Sequence, residues 1–130
     1  MKKILLGIIM ILVLIGCDVE NTVSPIESLP TAIITYPANW STITEEELTI
    51  TFEVFAVNLD SVEVYLNGQK FETFYQAPFE LDMELSDFTE GMFTSYCKVY
   101  DHKGNSATSD LINFYWETEQ QPESEISINI

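Results

Sequence analysis

Between Leu48 and Val57 the chain alternates. Leu48, Ile50, Phe52, Val54 and Ala56 fall on one side of an extended segment, and Thr49, Thr51, Glu53 and Phe55 on the other. A period of two is the signature of a strand with one face in a core and one in water. The pattern recurs in Ser61–Leu66, with Val62, Val64 and Leu66 inward and Glu63 and Tyr65 outward. It returns in Phe79–Leu85, where Phe79, Leu81, Met83 and Leu85 oppose Glu80, Asp82 and Glu84. The cleanest case is Phe93–Tyr100, in which Phe93, Ser95, Cys97 and Val99 alternate with Thr94, Tyr96, Lys98 and Tyr100. This strand runs into the turn DHKGN, and every other alternation can be laid against its inner face. Thr31–Tyr36, an edge strand at Lys70–Tyr75, and Leu111–Trp116 with Ile112, Phe114 and Trp116 inward complete the set.

Turn signals separate these runs. Pro37 stops the first, Asn67-Gly68 is a strong two-residue hairpin signal, Ala77-Pro78 breaks the Lys70–Tyr75 segment, and Ser86–Gly91 makes a polar corner. In the DHKGN turn, Asp101 accepts hydrogen bonds from turn amides and Gly104 supplies a positive φ. About seven short strands with no helical period between them predict an all-β fold, an immunoglobulin-like Greek-key sandwich over 31–117. The tail Thr118–Ile130 is acidic and rich in Gln and Ser at first. Ile126, Ile128 and Ile130 alternate, but the composition predicts disorder.

The N-terminus sets the context. Lys2 and Lys3 precede an apolar run, Ile4–Ile15, broken only by Gly7, which ends in Leu14-Ile15-Gly16-Cys17. A basic start, a short apolar stretch and a small residue before the cut are the parts of a secretory signal. The run is shorter than the ~20 residues that span a bilayer. Leu-Ile-Gly-Cys resembles the lipobox of bacterial lipoproteins. That resemblance implies cleavage after residue 16, acyl chains on Cys17, and anchorage to a membrane of the cell envelope with the domain outside the cytoplasm. Two or three acyl chains hold stably where one is marginal. Asp18 resembles the inner-membrane retention signal of enterobacterial lipoproteins, a code that does not hold in all bacteria. Residues 17–30 then form a polar tether whose Asp18–Pro30 stretch reaches about 45 Å at full extension and about 20 Å as a flexible coil.

Charge narrows the partners. Without residues 1–16 the chain carries 21 acidic residues against three Lys and no Arg, a formal charge of −18. Such a surface repels nucleic acid and anionic lipid, so phosphate-backbone recognition is excluded and the membrane is held by lipid insertion alone. With Cys17 acylated, Cys97 has no partner for a disulfide. Its inward register makes it a small buried hydrophobe rather than a nucleophile.

The chain shows no Gly-rich phosphate loop, no Cys-x-x-Cys, no His cluster and no Ser–His–acid motif, so no catalytic residue, cofactor or metal is expected. Glu45, Glu46 and Glu47 point in different directions along a strand and read as a solvated run. Asp101, Asn105 and Asp110 lack the spacing of a Ca²⁺ loop, and Asp101 is better spent on its turn. One surface feature stands out. Tyr65, Tyr96, Tyr100 and Tyr115 all point outward, and a Greek-key order places their strands in one sheet. Tyrosine suits a face that is sometimes covered and sometimes wet, though it also forms and pairs strands well.

Thr31–Glu117 resembles the bacterial immunoglobulin-like modules of secreted glycoside hydrolases, adhesins and other surface proteins. The matching pieces are Tyr36-Pro37-Ala38-Asn39, SVEVYLNGQKF at 61–71, Ala77-Pro78-Phe79, Gly91-Met92-Phe93, and Asp101 with Gly104-Asn105. Trp40 stands where the family usually has a small residue, which points to a ligand contact or a plug at the end of the sandwich. The resemblance implies a spacer, stabiliser or binding unit, not a set of shared functional residues. The expectation is a non-enzymatic envelope lipoprotein whose domain makes protein or glycan contacts through Tyr65, Tyr96, Tyr100, Tyr115 and Trp40. The alternatives are a carbohydrate-binding accessory lipoprotein of a polysaccharide-degrading system and a purely structural envelope spacer.

If Cys17 carries the lipid, Cys17→Ser should abolish acylation and leave the chain unprocessed or soluble. Incorporation of a fatty-acid analogue that persists in Cys17→Ser would remove the anchor from this account.

Overall fold

The computed structural model describes residues 28–120. The signal segment, Cys17, most of the tether and residues 121–130 lie outside the described residues. Among those described, the chain forms β1 (Thr31–Tyr36), β2 (Ser41–Ile43), β3 (Glu47–Phe55), β4 (Leu59–Leu66), β5 (Gln69–Phe74), β6 (Glu80–Glu84), a 3-10 turn at Leu85–Asp87, β7 (Gly91–Asp101), β8 (Ser106–Thr108) and β9 (Ile112–Trp116). A three-stranded sheet in the order β1-β3-β6 packs on a larger one in the order β2-β9-β7-β4-β5, with β8 also paired to β7. This is the expected Greek-key sandwich. No helix among the described residues is long and apolar enough to cross a membrane.

Among the described residues nine strands replace the expected seven. The two additions, β2 and β8, are three residues long, too short to show a period. β2 exists because the chain leaves β1, turns at Trp40 and lies parallel to β9, pairing Ser41 with Phe114 and Ile43 with Trp116. β8 folds back on β7 through the DHKGN turn, pairing Thr108 with Lys98 and Ser106 with Tyr100. Both are made by pairing to a neighbour rather than by local preference.

The inward rows are those the alternation predicts. Leu48, Ile50 and Phe52 of β3 and Leu81 and Met83 of β6 face Val62, Val64 and Leu66 of β4, Phe93, Cys97 and Val99 of β7, and Ile112, Phe114 and Trp116 of β9. Each apolar side chain removed from water in this way contributes roughly 1.5–3 kcal/mol. Phe93 and Phe114 are register partners and stack with centroids 5.3 Å apart. Phe88, from the corner after β6, meets Phe93 edge-on at 5.6 Å, and Phe52 reaches Phe74 across the sandwich at 6.0 Å.

Ser95 is the polar exception in the row. It is fully buried, and its hydroxyl donates to the Tyr65 carbonyl at 3.1 Å, so its desolvation is compensated. At the Asn67-Gly68 turn both residues have positive φ, 49° and 80°, the geometry of a type I′ hairpin. The Asn67 side chain locks the turn by accepting the Thr94 amide at 2.9 Å.

Cys97 is buried, its amide donates to the Ser109 hydroxyl at 2.9 Å, and burial raises the pKa of its thiol. Native protein should therefore react slowly with a thiol reagent and quickly in denaturant. Cys97→Ala should cost on the order of 1 kcal/mol in chemical unfolding, as a small group leaves a packed core. Rapid native labelling would mean that the register of β7 is shifted by one residue.

Candidate functional site

Strands β4 and β7 lie side by side in the larger sheet, and their outward side chains share one surface. The register sets Glu63 opposite Lys98, Tyr65 opposite Tyr96, and Ser61 opposite Tyr100. On the other side β5 brings Thr73 opposite Glu63 and Lys70 opposite Tyr65, across a bulge. Along each strand, residues two apart are neighbours on the same face. Glu63-Val64-Tyr65 and Lys98-Val99-Tyr100 each place a charge beside a phenol.

Glu63 ties the group together. The Tyr65 hydroxyl donates to its Oε2 at 2.8 Å and the Tyr100 hydroxyl to the same oxygen at 3.2 Å. Lys70 Nζ donates to Oε1 at 3.2 Å. The Glu63 side chain is only 18% exposed, whereas Lys70 reaches outward at 53%. Tyr65 and Tyr96 stack with centroids 4.7 Å apart and planes within 5°. Lys98 Nζ stands 5.1 Å from the centre of the Tyr100 ring, a cation–π contact.

The electrostatics follow from these bonds. The Tyr65 phenol, then the Lys70 ammonium and the Tyr100 phenol, hold the Glu63 carboxyl below its ordinary value, outweighing its desolvation. The same bond, seen from its donor, pushes Tyr65 up to about 12, because losing its proton would set two negative charges together. Contact with Tyr100 raises the pKa of Lys98, so the ammonium stays charged.

Two expected members stand apart. Tyr115 is on the same face but pairs with Met92, four residues along β7 from Tyr96, an offset of about 13 Å. Trp40 lies at the edge strand, in the turn before β2, where its amide donates to the Asn113 carbonyl at 2.5 Å. Its φ of 66° is in the left-handed region, a conformation that side chains other than Gly adopt at a cost. The Trp40 side chain is 68% exposed, so it does not plug the core.

Asp101 serves its turn. One carboxylate oxygen accepts the amides of Lys103 at 2.9 Å and Asn105 at 2.8 Å, and the other accepts the Asn105 side chain at 2.8 Å. Among the described residues no group of three or more His, Cys, Asp or Glu is placed to hold a metal ion. Sequence reasoning passed over Glu63 and Lys98. Their two-residue spacing from Tyr65 and Tyr100 was legible, but the closure of the network across strands required the register.

Residues 30–95 match the family of bacterial Ig domains. The chain belongs to this family. No curated protein matches it. Among solved structures, it is similar to the fibronectin(III)-like modules of Clostridium thermocellum CbhA, at 17% identity and a TM-score of 0.54, covering 69% of this chain and 100% of that one. It is also similar to part of the endo-β-1,4-mannanase from Thermotoga petrophila, at 14% identity and a TM-score of 0.55, covering 69% of this chain and 20% of the mannanase. At these identities the likeness is one of fold. The bacterial Ig domain is a scaffold whose surface each chain furnishes separately.

Glu63→Gln removes the charge from the centre of the network. Tyr65 should then titrate nearer 10 than its value of about 12, read from its ring resonances by NMR. On the acid side, Glu63 stabilises the fold fully above its ordinary value of 4.5 and loses that effect as pH falls through its lowered native value. The variant should show a flatter loss of stability on acidification, by less than about 1 kcal/mol because the partners lie at the sheet surface and Lys70 is exposed. An unchanged Tyr65 titration would dismiss the Glu63 bond.

Proposed function

We propose that this bacterial Ig domain is a non-enzymatic, membrane-anchored component of the cell envelope, held by acyl chains on Cys17, that binds a protein partner through the outer face of β4 and β7. The observation that supports it is the stacked Tyr65–Tyr96 pair whose network is fastened to Glu63. Aromatic side chains ordered before binding lose little entropy when a partner covers them. Lys70 and Lys98, two of the three Lys that remain after cleavage, frame this face on an otherwise acidic chain. Electrostatic complementarity then selects partners and their orientation.

The ring geometry favours protein over sugar. A flat pyranose seeks an open aromatic face, but Tyr65 and Tyr96 each give one face to the other, and Lys98 stands over Tyr100. A carbohydrate role is the second reading, and Trp40 favours it, exposed in the turn before β2 at the edge of the larger sheet. Two features support a non-catalytic role. The one His, His102, is 3.1 Å from Asp60 in a surface pair, and the Cys97 thiol is buried with a raised pKa.

Binding to envelope proteins and to a glycan panel should be measured for wild type and Tyr96→Ser/Tyr100→Ser, with thermal melts alongside. Each central truncation should remove about 1–3 kcal/mol of binding free energy, with Tyr115→Ser mattering less. Stability should fall modestly because the inner row is untouched. Unchanged binding to every partner would reduce the tyrosines to sheet formers, and loss only in Trp40→Ala would favour the glycan reading.

A further inference from the structure

The two ends of the sandwich differ in chemistry. Strand β3 runs between them, from Glu47 to Phe55, a span of about 27 Å. At the Glu47 end, Glu45 and Glu46 occupy the turn before β3, and the Glu46 carbonyl accepts the Leu85 amide of the 3-10 turn that holds Asp87. Glu90 accepts the Thr118 amide at 2.7 Å, and the Glu117 amide donates to the Ile43 carbonyl. Glu45, Glu46, Asp87, Glu90 and Glu117 therefore gather at one pole.

The Phe55 end is apolar. Ser28, Leu29 and Thr31 line an open depression with Val54, Phe55, Ala56 and Val57. Tyr75 follows Phe74, which pairs with Val62 near the start of β4 and so belongs to the same end. Leu29, Phe55, Val57 and Tyr75 are between 62% and 72% exposed. His102 joins this end by donating its amide to the Asn58 carbonyl, with Lys103 next to it. Its nearby acids are engaged: Asp60 pairs with His102 and Asp101 is held in its turn. Glu53 marks the rim on the smaller sheet. Large apolar side chains gathered in water in this way mark an interaction surface.

We infer that this apolar pole is a lipid-facing surface that rests on the bilayer carrying the Cys17 anchor. The inference rests on the anchored reading given above. Residues 18–27 separate Cys17 from Ser28, a tether of at most about 35 Å, and the chain enters the domain at this pole and no other. The acidic pole, with its five carboxylates, is repelled by anionic head groups more strongly than the apolar pole, where Lys103 offsets part of the charge of Asp60, Asp101 and Glu53. Anchor position and charge polarity set the same orientation. The domain stands on Leu29, Phe55, Val57 and Tyr75, points the cluster of Glu45, Glu46, Asp87, Glu90 and Glu117 away from the membrane, and holds the tyrosine face sideways, clear of lipid.

The test uses the full chain, produced in a bacterial host and purified with its lipid. It is reconstituted into phosphatidylethanolamine and phosphatidylglycerol vesicles with brominated acyl chains. Acylation is read from the mass of the N-terminal peptide. An environment-sensitive fluorophore is attached in separate preparations to Val57→Cys and Glu46→Cys, Cys17 being blocked by lipid and Cys97 buried. The Val57 probe should shift to the blue and be quenched by brominated lipid several-fold more than the Glu46 probe, and adding Phe55→Ser should weaken that quenching. Acylated protein whose two probes are quenched alike overturns this inference and leaves the anchor intact. A Val57 probe shielded from water yet not quenched by lipid marks a protein contact, a second copy included, and overturns it as well. Chain without acylation overturns the anchor and the orientation together.

Discussion

Strand β7 is paired along both edges, to β4 on one side and to β9 and β8 on the other, and nearly every other feature depends on its register. Its inner row contributes Phe93, Ser95, Cys97 and Val99 to the core, and its outer row carries Tyr96, Lys98 and Tyr100. Because the side-chain period is two, a slip of one residue would send the tyrosines inward and the core outward. The burial that stabilises the fold is thus the same constraint that builds the outer face.

That coupling explains how a chain this acidic keeps an ordered polar cluster on one sheet. Glu63 is surrounded by donors, two phenols and one ammonium, so its charge is used rather than merely tolerated. Among the described residues most other carboxylates are exposed to water, which screens them, and they discourage edge-to-edge pairing; Asp101 is the buried exception, held by its turn amides. Lys70 and Lys98 belong to the tyrosine face, and Lys103 belongs to the turn at the apolar pole.

Family membership and surface carry different information. Residues 30–95 match the bacterial Ig family, and the sandwich resembles modules that are separate or embedded in larger chains. The features that bear on function lie outside the core: the Glu63 network, a Trp at a left-handed position, and the contrast between the two poles. A scaffold held by its inner rows leaves its outer rows free to diverge.

Alternation alone placed seven strands and oriented their inward rows, because a strand half in water has to repeat every second residue. The sequence also showed the hairpin at Asn67-Gly68, the turn at Asp101 and the outward direction of Tyr65, Tyr96, Tyr100 and Tyr115. It could not reveal β2 and β8, which exist only as pairings with β9 and β7. Nor could it show that Tyr65, Tyr96 and Tyr100 meet while Tyr115 lies about 13 Å along the strand, or that Trp40 stays in solvent. Those outcomes depend on register between strands distant in sequence. Local periodicity decides which way a side chain points, and only the tertiary pairing decides what it meets there.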